Sequence, residues 1–163
     1  MPRVKVVGAG LAGCEAAYTL ANAGVEVELF DIKPNSFTPA HTDKNFGELV
    51  CSNSLKSNDI YGNACGLLKE EMRILGSLTM EAAEHAKVPA GGALAVNRQL
   101  FAEYITDKIK SNKNIKVVCG EAEQIPSAPC IIATGPLTSG ALAADISQKL
   151  GGGLHFYDAS API

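Results

Sequence analysis

The chain has 163 residues, 47% of them hydrophobic and 19% charged, a balance that belongs to folded soluble proteins and excludes an intrinsically disordered chain. Its formal charge of −3 and pI near 5.6 leave no surplus of Lys and Arg to neutralise phosphates, which argues against this segment being a nucleic-acid binder by itself. No run approaches a membrane span, the N-terminus lacks a signal peptide's apolar core, and the five cysteines include no CxxC pair; a reducing cytoplasm is expected, with neither disulfide framework nor metal site.

Val4-Lys-Val-Val7 is a short β-branched run ending at Gly8, which predicts a buried strand feeding a tight turn. Leu11 to Ala23 follows as a helix with Ala16, Ala17, Leu20 and Ala21 on a small-residue face, and Gly24 stands at its left-handed C-terminal cap. Val25 to Phe30 is a second strand closed by Asp31. Pro34 to Leu49 is polar and broken by Pro34, Asn35, Pro39 and Gly47, which predicts a long loop. Leu68, Met72, Leu75, Leu78 and Ala82 recur at helical intervals over Leu67 to Ala86, with Gly76 as a break.

Val88-Pro-Ala-Gly-Gly-Ala interrupts that helix, and Asn97 then caps another that carries Leu100, Phe101, Tyr104, Ile105 and Ile109. Ile115 to Cys119 and Cys130 to Ala133 read as strands. Thr138 to Leu150 reads as a last helix before Gly151-Gly-Gly153, and Phe156 to Ile163 as a strand or linker cut short. Strands alternating with helices predict an α/β fold with a largely parallel sheet, an architecture that binds ligands at the carboxyl ends of its strands.

Gly8-Ala-Gly10-Leu-Ala-Gly13 matches GxGxxG, and each glycine has a mechanical reason. Gly8 permits the tight turn, Gly10 lets backbone approach a pyrophosphate, and Gly13 lets the helix pack closely on the strand. The helix N-terminus, Ala9 to Ala12 included, supplies unpaired N–H groups and partial positive charge. The motif follows a strand, opens a helix and is succeeded by Asp31, which would accept hydrogen bonds from a ribose and disfavour a 2′-phosphate. The stretch Cys130-Ile-Ile-Ala133-Thr134-Gly135 resembles the ATG motif of glutathione-reductase-like flavoproteins, which favours FAD as the dinucleotide.

Glu48-Leu-Val-Cys51-Ser52-Asn53-Ser-Leu55 sets a cysteine among small polar residues, surroundings that suit an accessible, reactive thiol. Free cysteines are as often buried, so on the residues alone both readings of Cys51 stand. Cys65, Cys119 and Cys130 fall at helix or strand positions and read as buried structural thiols. Cys14, inside the first helix, could feel its dipole, but packing is the simpler reading. His41 is a candidate for acid–base chemistry or cofactor contact; His85 and His155 read as structural. Asp43, Lys44 and Glu48 read as a solvated charged loop, and Arg98 and Lys69 as surface cations able to meet a phosphate.

Five separated stretches, Gly8-Ala-Gly-Leu-Ala-Gly-Cys-Glu15, Glu48 to Leu55, Leu68-Lys-Glu-Glu-Met-Arg73, Val88-Pro-Ala-Gly-Gly-Ala-Leu-Ala-Val96 and Ile132-Ala-Thr-Gly-Pro-Leu-Thr-Ser139, together closely resemble the TrmFO family, relatives of the GidA/MnmG tRNA-modifying flavoproteins. The resemblance runs the whole length of the chain. It implies a Rossmann-like FAD-binding domain of the glutathione-reductase-like class over 1–163, a mostly parallel sheet flanked by helices, that forms part of a folate-dependent tRNA (uracil-5-)-methyltransferase. In that chemistry 5,10-methylenetetrahydrofolate donates one carbon, reduced FAD supplies electrons, NAD(P)H re-reduces the flavin, and a tRNA uridine becomes 5-methyluridine.

The resemblance also implies a role for Cys51 near the flavin, with Ser52 and Asn53 beside it as cofactor contacts, since attack by uracil C5 needs C6 activated and a thiolate does that. Family members are much longer, with an inserted domain and a C-terminal return to the flavin fold, so this chain reads as a fragment that alone binds FAD weakly and does not turn over. Two other readings stay open: a ribosomal RNA uridine methyltransferase of the same chemistry, and an inactive stand-alone flavin- or NAD-binding module.

Overall fold

The computed structural model describes residues 3–127, 129–138 and 140–151; His155 and the expected strand or linker at Phe156 to Ile163 lie outside them. The elements in chain order are β1 Val4–Val7, α1 Leu11–Asn22, β2 Val27–Asp31, β3 Ser54–Ser57, α2 Ala64–Ile74, α3 Leu78–His85, β4 Lys87–Val88, β5 Ala93–Val96, α4 Arg98–Ser111, β6 Ile115–Cys119, β7 Cys130–Ile132 and α5 Gly140–Leu150.

Four strands form a parallel sheet in the order β6-β2-β1-β7, with Val4 opposite Val27, Val27 opposite Ile115, and Lys5 opposite Cys130. From β1 the chain moves through α1 to β2 and later to β6, then returns to the other side of β1 for β7. Strand order therefore reverses at β1, and open parallel sheets leave a crevice at the carboxyl end of such a switch. The expected parallel sheet flanked by helices is the fold observed.

The small-residue face of α1 lies on this sheet: Cys14, Ala17 and Ala21 are buried against Val6, Val27 and Leu29 in one continuous core. Phe101, Ile105 and Ile109 of α4 and Leu78, Met80, Ala82 and Ala83 of α3 complete it. Asn97 caps α4 as its position predicts, its side chain accepting from the amides of Gln99 and Leu100. Gly76, with φ of +73°, separates α2 from α3, and Ser77 then caps α3. The first of these helices begins at Ala64, earlier than the apolar period indicates, because Asn63 accepts from the amide of Cys65 and starts it.

Glu15 joins α1 to α3. Its Oε1 accepts from the Leu78 amide at 3.0 Å, and its Oε2 accepts from the Thr79 amide at 3.0 Å, the Ser77 hydroxyl at 3.0 Å and the Thr79 hydroxyl at 2.7 Å. A carboxylate at the positive end of a helix satisfies amides that the helix itself leaves unpaired.

A second, antiparallel sheet of order β3-β5-β4 was not expected. The Val88 to Ala93 stretch, which reads as a mere interruption, closes a β4–β5 hairpin whose turn is Pro89 to Gly92, with Lys87 facing Val96 and Val88 facing Ala95. Strands of two to four residues carry too little alternation to be recognised, and the polar Ser-Leu-Lys-Ser of β3 is a strand only because β5 pairs with it. Lys69 supports this sheet from α2. It is buried, donates to the carbonyls of Leu55 at 2.7 Å and Cys65 at 2.8 Å, and burial lowers its pKa. Neither alternative the sequence left open for Lys69, a phosphate contact or an ordinary surface cation, therefore holds.

The cysteines also divide differently from expectation. Cys14 is buried as read, and burial, with the negative charges of Asp31 and Glu15 nearby, pushes its thiol up rather than down. Cys119 is exposed, and Cys65 and Cys130 are half-buried. Among the described residues β6 and β7 are the two edges of the parallel sheet, with no strand paired on their outer sides. Among the described residues no helix is long and apolar enough to cross a membrane.

Candidate functional site

The site begins where β1 stops. Gly8 has φ of +100°, and a Cβ there would stand 2.5 Å from the carbonyl oxygen of Ala133. A Cβ on Gly13 would stand 1.7 Å from the carbonyl oxygen of Gly8, so only glycine lets the first turn of α1 lie on the loop. Gly10 differs: a Cβ there meets nothing within 4 Å and would enter open space. The three glycines thus serve the turn, the helix contact and the open approach in the way that the motif predicts.

The start of α1 is free to bind an anion. Gly10 is its N-cap and provides no side-chain cap, and no acidic residue lies in the first turn. Among the described residues no protein acceptor takes the amides of Leu11 and Ala12, so the helix end presents donors and partial positive charge to the space beside Gly10.

That space is a cleft of about 390 Å³, within the range of small-molecule sites. One wall is the glycine loop from Gly8 to Ala12, with Asp31 at the end of β2; the opposite wall is Ala133, Thr134 and Gly135. The second wall is held by the Ala133 amide donating to the Val7 carbonyl at 2.7 Å and by Thr138, whose hydroxyl donates to the Gly135 carbonyl at 2.7 Å. Gly135 itself has φ of +77°. Gly13 lies behind the cleft rather than in its lining.

Asp31 is more engaged than its sequence position indicates. Its Oδ2 accepts from the Ala9 amide at 2.6 Å and its Oδ1 from the Lys33 amide at 2.9 Å, so the carboxylate ties the glycine loop to the end of β2. Each oxygen keeps a further lone pair for a hydroxyl in the cleft.

The long loop after β2 also lines the cleft, through Lys33, Thr38, Ala40, His41, Glu48 and Val50 among others. His41 does face the cleft, and its Nδ1 shares a hydrogen bond with the Thr38 hydroxyl. Glu48 is not part of a solvated charged surface as its composition suggests. It forms an ion pair with the buried Lys33 at 2.8 Å and accepts from the amides of Thr42 at 3.0 Å and Asp43 at 3.2 Å. Lys33 also donates to the Asn45 carbonyl at 2.9 Å and lines the same cleft.

Burial by itself would raise the Glu48 carboxyl, but the hydrogen bonds from Lys33 and the two amides, with the Lys33 charge, hold its pKa below the usual 4.5. A depressed carboxylate contributes stability above its unfolded pKa and loses it as pH falls through the folded one. The loop contacts of Glu48 therefore persist at neutral pH and are lost in acid below 4.5. The check is an acid titration followed by NMR of the Thr42 and Asp43 amides, which should shift together there in wild type and not in Glu48→Gln.

Cys51 is exposed and follows Val50, but neither it nor Ser52 nor Asn53 lines the cleft. Ser52 accepts from the Ser54 amide at 3.0 Å. Asn53 donates through Nδ2 to the Val96 carbonyl at 3.2 Å, and its own carbonyl accepts from the Val96 amide at 2.9 Å. Arg98 reaches the Cys51 carbonyl at 3.4 Å. The structure thus gathers Gly8 to Ala12, Asp31 and Ala133 to Gly135, and leaves the Cys51–Asn53 segment anchored on β5 and α4, beside the cleft.

Lys33 and Glu48 escaped the sequence reading. The one cue in the sequence was closeness: Lys33 lies two residues beyond Asp31, in the turn after β2 where its amide donates to the Asp31 carboxylate. Glu48 carried no such mark, because its partner is distant in sequence.

A parallel sheet with a glycine-loop helix terminus at its switch point, an acid at the end of the second strand and a second backbone wall across a cleft define a Rossmann-like α/β domain of the dinucleotide-binding class. The sequence profile described as "Glucose inhibited division protein A" matches residues 3–161, and the chain belongs to that GidA family. It is 54% identical over 162 residues to the methylenetetrahydrofolate–tRNA-(uracil-5-)-methyltransferase TrmFO of Acetivibrio thermocellus, 56% over 164 residues to that of Exiguobacterium sibiricum, and 57% over 161 residues to that of Staphylococcus carnosus.

These alignments cover 98–100% of this chain and 37–38% of each relative, so the chain spans well under half the length of the curated relatives it matches. The resemblance carried by the five sequence motifs is borne out. Among solved structures, GidA of Aquifex aeolicus aligns with a TM-score of 0.64 at 17% identity over 82% of this chain and 25% of its own. A GidA-related protein from Thermus thermophilus aligns with a TM-score of 0.51 at 15% identity over 91% of this chain and 68% of its own. At such identities the likeness is one of fold.

Proposed function

We propose that residues 1–163 form the FAD-binding part of a folate-dependent tRNA (uracil-5-)-methyltransferase, acting with the further segments that its longer relatives contain. The observation that carries the cofactor assignment is the open approach at Gly10 beside the unpaired amides of Leu11 and Ala12. A pyrophosphate fits that donor set, and the remaining acceptor capacity of Asp31 suits a ribose hydroxyl while its charge disfavours a 2′-phosphate. The Ala133–Gly135 wall lies across the cleft for the rest of the cofactor.

When bound and reduced, FAD would supply the two electrons that take the one-carbon unit of 5,10-methylenetetrahydrofolate to the methyl level, with NAD(P)H as the proposed source of reducing equivalents. The part of this chain in the transfer itself is assigned to Cys51. Its thiolate would add to uracil C6, making C5 nucleophilic toward the methylene carbon; as the C5–carbon bond forms and the C5 proton is lost, the bond from that carbon to the tetrahydrofolate nitrogen breaks, and a hydride equivalent from the reduced cofactor would complete the methyl group as the thiolate leaves C6 and the ring double bond returns. The exposed position of Cys51 next to Val50 suits a thiol that must meet a polynucleotide substrate.

The chain reconstituted with FAD should show the visible absorption of an oxidised flavin, and Gly10→Val, whose side chain enters the cleft, should reduce uptake about tenfold or more with the fold retained. Failure of both this chain and a full-length protein carrying the domain to take up FAD ends the flavin reading. In a full-length protein carrying this domain, Cys51→Ala should keep FAD and lose methyl transfer to tRNA; undiminished transfer would remove Cys51 from the mechanism.

A further inference from the structure

The loop that carries His41, Val50 and Cys51 is held to the glycine loop by two independent routes. In the first, the Gly47 amide donates to the Ala9 carbonyl at 3.0 Å. In the second, Ala9 donates to Asp31, the same carboxylate accepts from the Lys33 amide, and the Lys33 ammonium reaches Glu48, whose other oxygen holds Thr42 and Asp43. The side chains of Lys33 and Glu48 are only 8% and 12% exposed, and both line the cleft. Hydration competes weakly with an ion pair so enclosed, and removing one partner leaves the other charged and buried.

We infer that Lys33 and Glu48 are positioning residues that hold the 42–50 segment against the pyrophosphate loop, so that the His41 and Val50 wall, and Cys51 after it, keep a set place relative to the bound dinucleotide. The inference rests on the reading of the cleft as a flavin site. Neither residue needs to touch the reacting atoms. Their effect passes through Asp31 on one side and through the amides of Thr42 and Asp43 on the other. Phe46, buried and donating its amide to the Thr106 hydroxyl at 2.8 Å, gives the segment a second footing on α4. Release of the ion pair should therefore loosen the segment without unfolding the core.

The test compares wild type, Lys33→Met, Glu48→Gln and Lys33→Arg by amide hydrogen exchange without ligand and by FAD titration. In Lys33→Met and Glu48→Gln, the Thr42 and Asp43 amides should exchange about tenfold faster or more, while those of Val6 and Leu29 in the core keep their wild-type rates. FAD affinity should fall about tenfold in the same variants, and Lys33→Arg, which retains the cation, should recover most of both effects.

Unchanged exchange of the segment overturns the inference. So does faster exchange throughout the core, which would mark a merely structural pair, and so does faster local exchange with unaltered FAD affinity. A Lys33→Arg chain that behaves like Lys33→Met overturns it as well, since the charge would then not be the agent. If neither the wild-type chain nor a full-length protein carrying it takes up FAD, the flavin reading fails by itself, and the exchange measurements, made without ligand, still decide whether the ion pair holds the segment.

Discussion

Gly13→Ala should destabilise the chain by about 3 kcal/mol or more and abolish dinucleotide uptake. Alanine is the better helix former by about 1 kcal/mol, which taken alone would stabilise α1. Against that stands a Cβ placed 1.7 Å from the Gly8 carbonyl oxygen, and the neighbour is backbone held by the Gly8 amide bond to Phe30 at 2.7 Å. Overpacking against groups that cannot turn aside costs at the upper end of about 1–3 kcal/mol or beyond it. Relief requires α1 to move off the loop, and that displaces the Leu11 and Ala12 amides from the cleft. A thermal melt should show Tm falling by roughly 6–12 °C for a domain of this size. A variant with Tm and FAD uptake near those of wild type would refute the close contact.

The second large effect is expected far from the cleft. Glu15→Ala should cost about 3 kcal/mol, because four donors on α3 and its cap, the Leu78 and Thr79 amides and the Ser77 and Thr79 hydroxyls, lose their acceptor together. Hydrogen bonds to charged groups are worth about 1.5–3 kcal/mol each, but water reaches part of this site once the side chain is gone, so the four do not add. Glu15→Gln keeps one acceptor oxygen and should fall between alanine and wild type. Chemical denaturation of the three chains reads the order directly; equal midpoints would show that α3 is capped without Glu15.

The two predictions draw on opposite kinds of information. Gly13 is legible in the sequence because its reason is local: strand, turn and helix follow one another within a few residues, and the motif fails sterically with any other residue there. The same holds for β1, α1 and β2, for the break at Gly76 and for the Asn97 cap. Glu15 was legible only as a letter in a familiar stretch, since its partners begin at Ser77 and meet it only after α3 has packed on α1. Lys33 and Glu48 follow the same rule: the charged loop residue that composition assigns to solvent is drawn inward by a cation fixed at the end of β2.

The antiparallel sheet marks the other limit. Ser54–Ser57 has neither the residue types nor the length of a strand, and it becomes one because Ala93–Val96 offers an edge. That edge in turn decides where the Cys51 segment lies: the Asn53 side chain, which the family resemblance placed against the cofactor, donates to Val96. The exposure of Cys119 has a comparable origin, since a strand's place at the edge of a sheet is set by strand order and not by the strand's own residues.

By itself, then, the sequence determined the dinucleotide-binding class, the glycine loop with its acid, and most helices and parallel strands, because backbone sterics and hydrophobic period act over short spans of chain. Only the tertiary structure decided which residues wall the cleft, how Asp31 divides its oxygens between Ala9 and Lys33, and that the Cys51 segment stands beside the cleft on β5 and α4. Those outcomes depend on hydrogen bonds and ion pairs between residues far apart in the chain, and such contacts exist only once the core has brought the elements together.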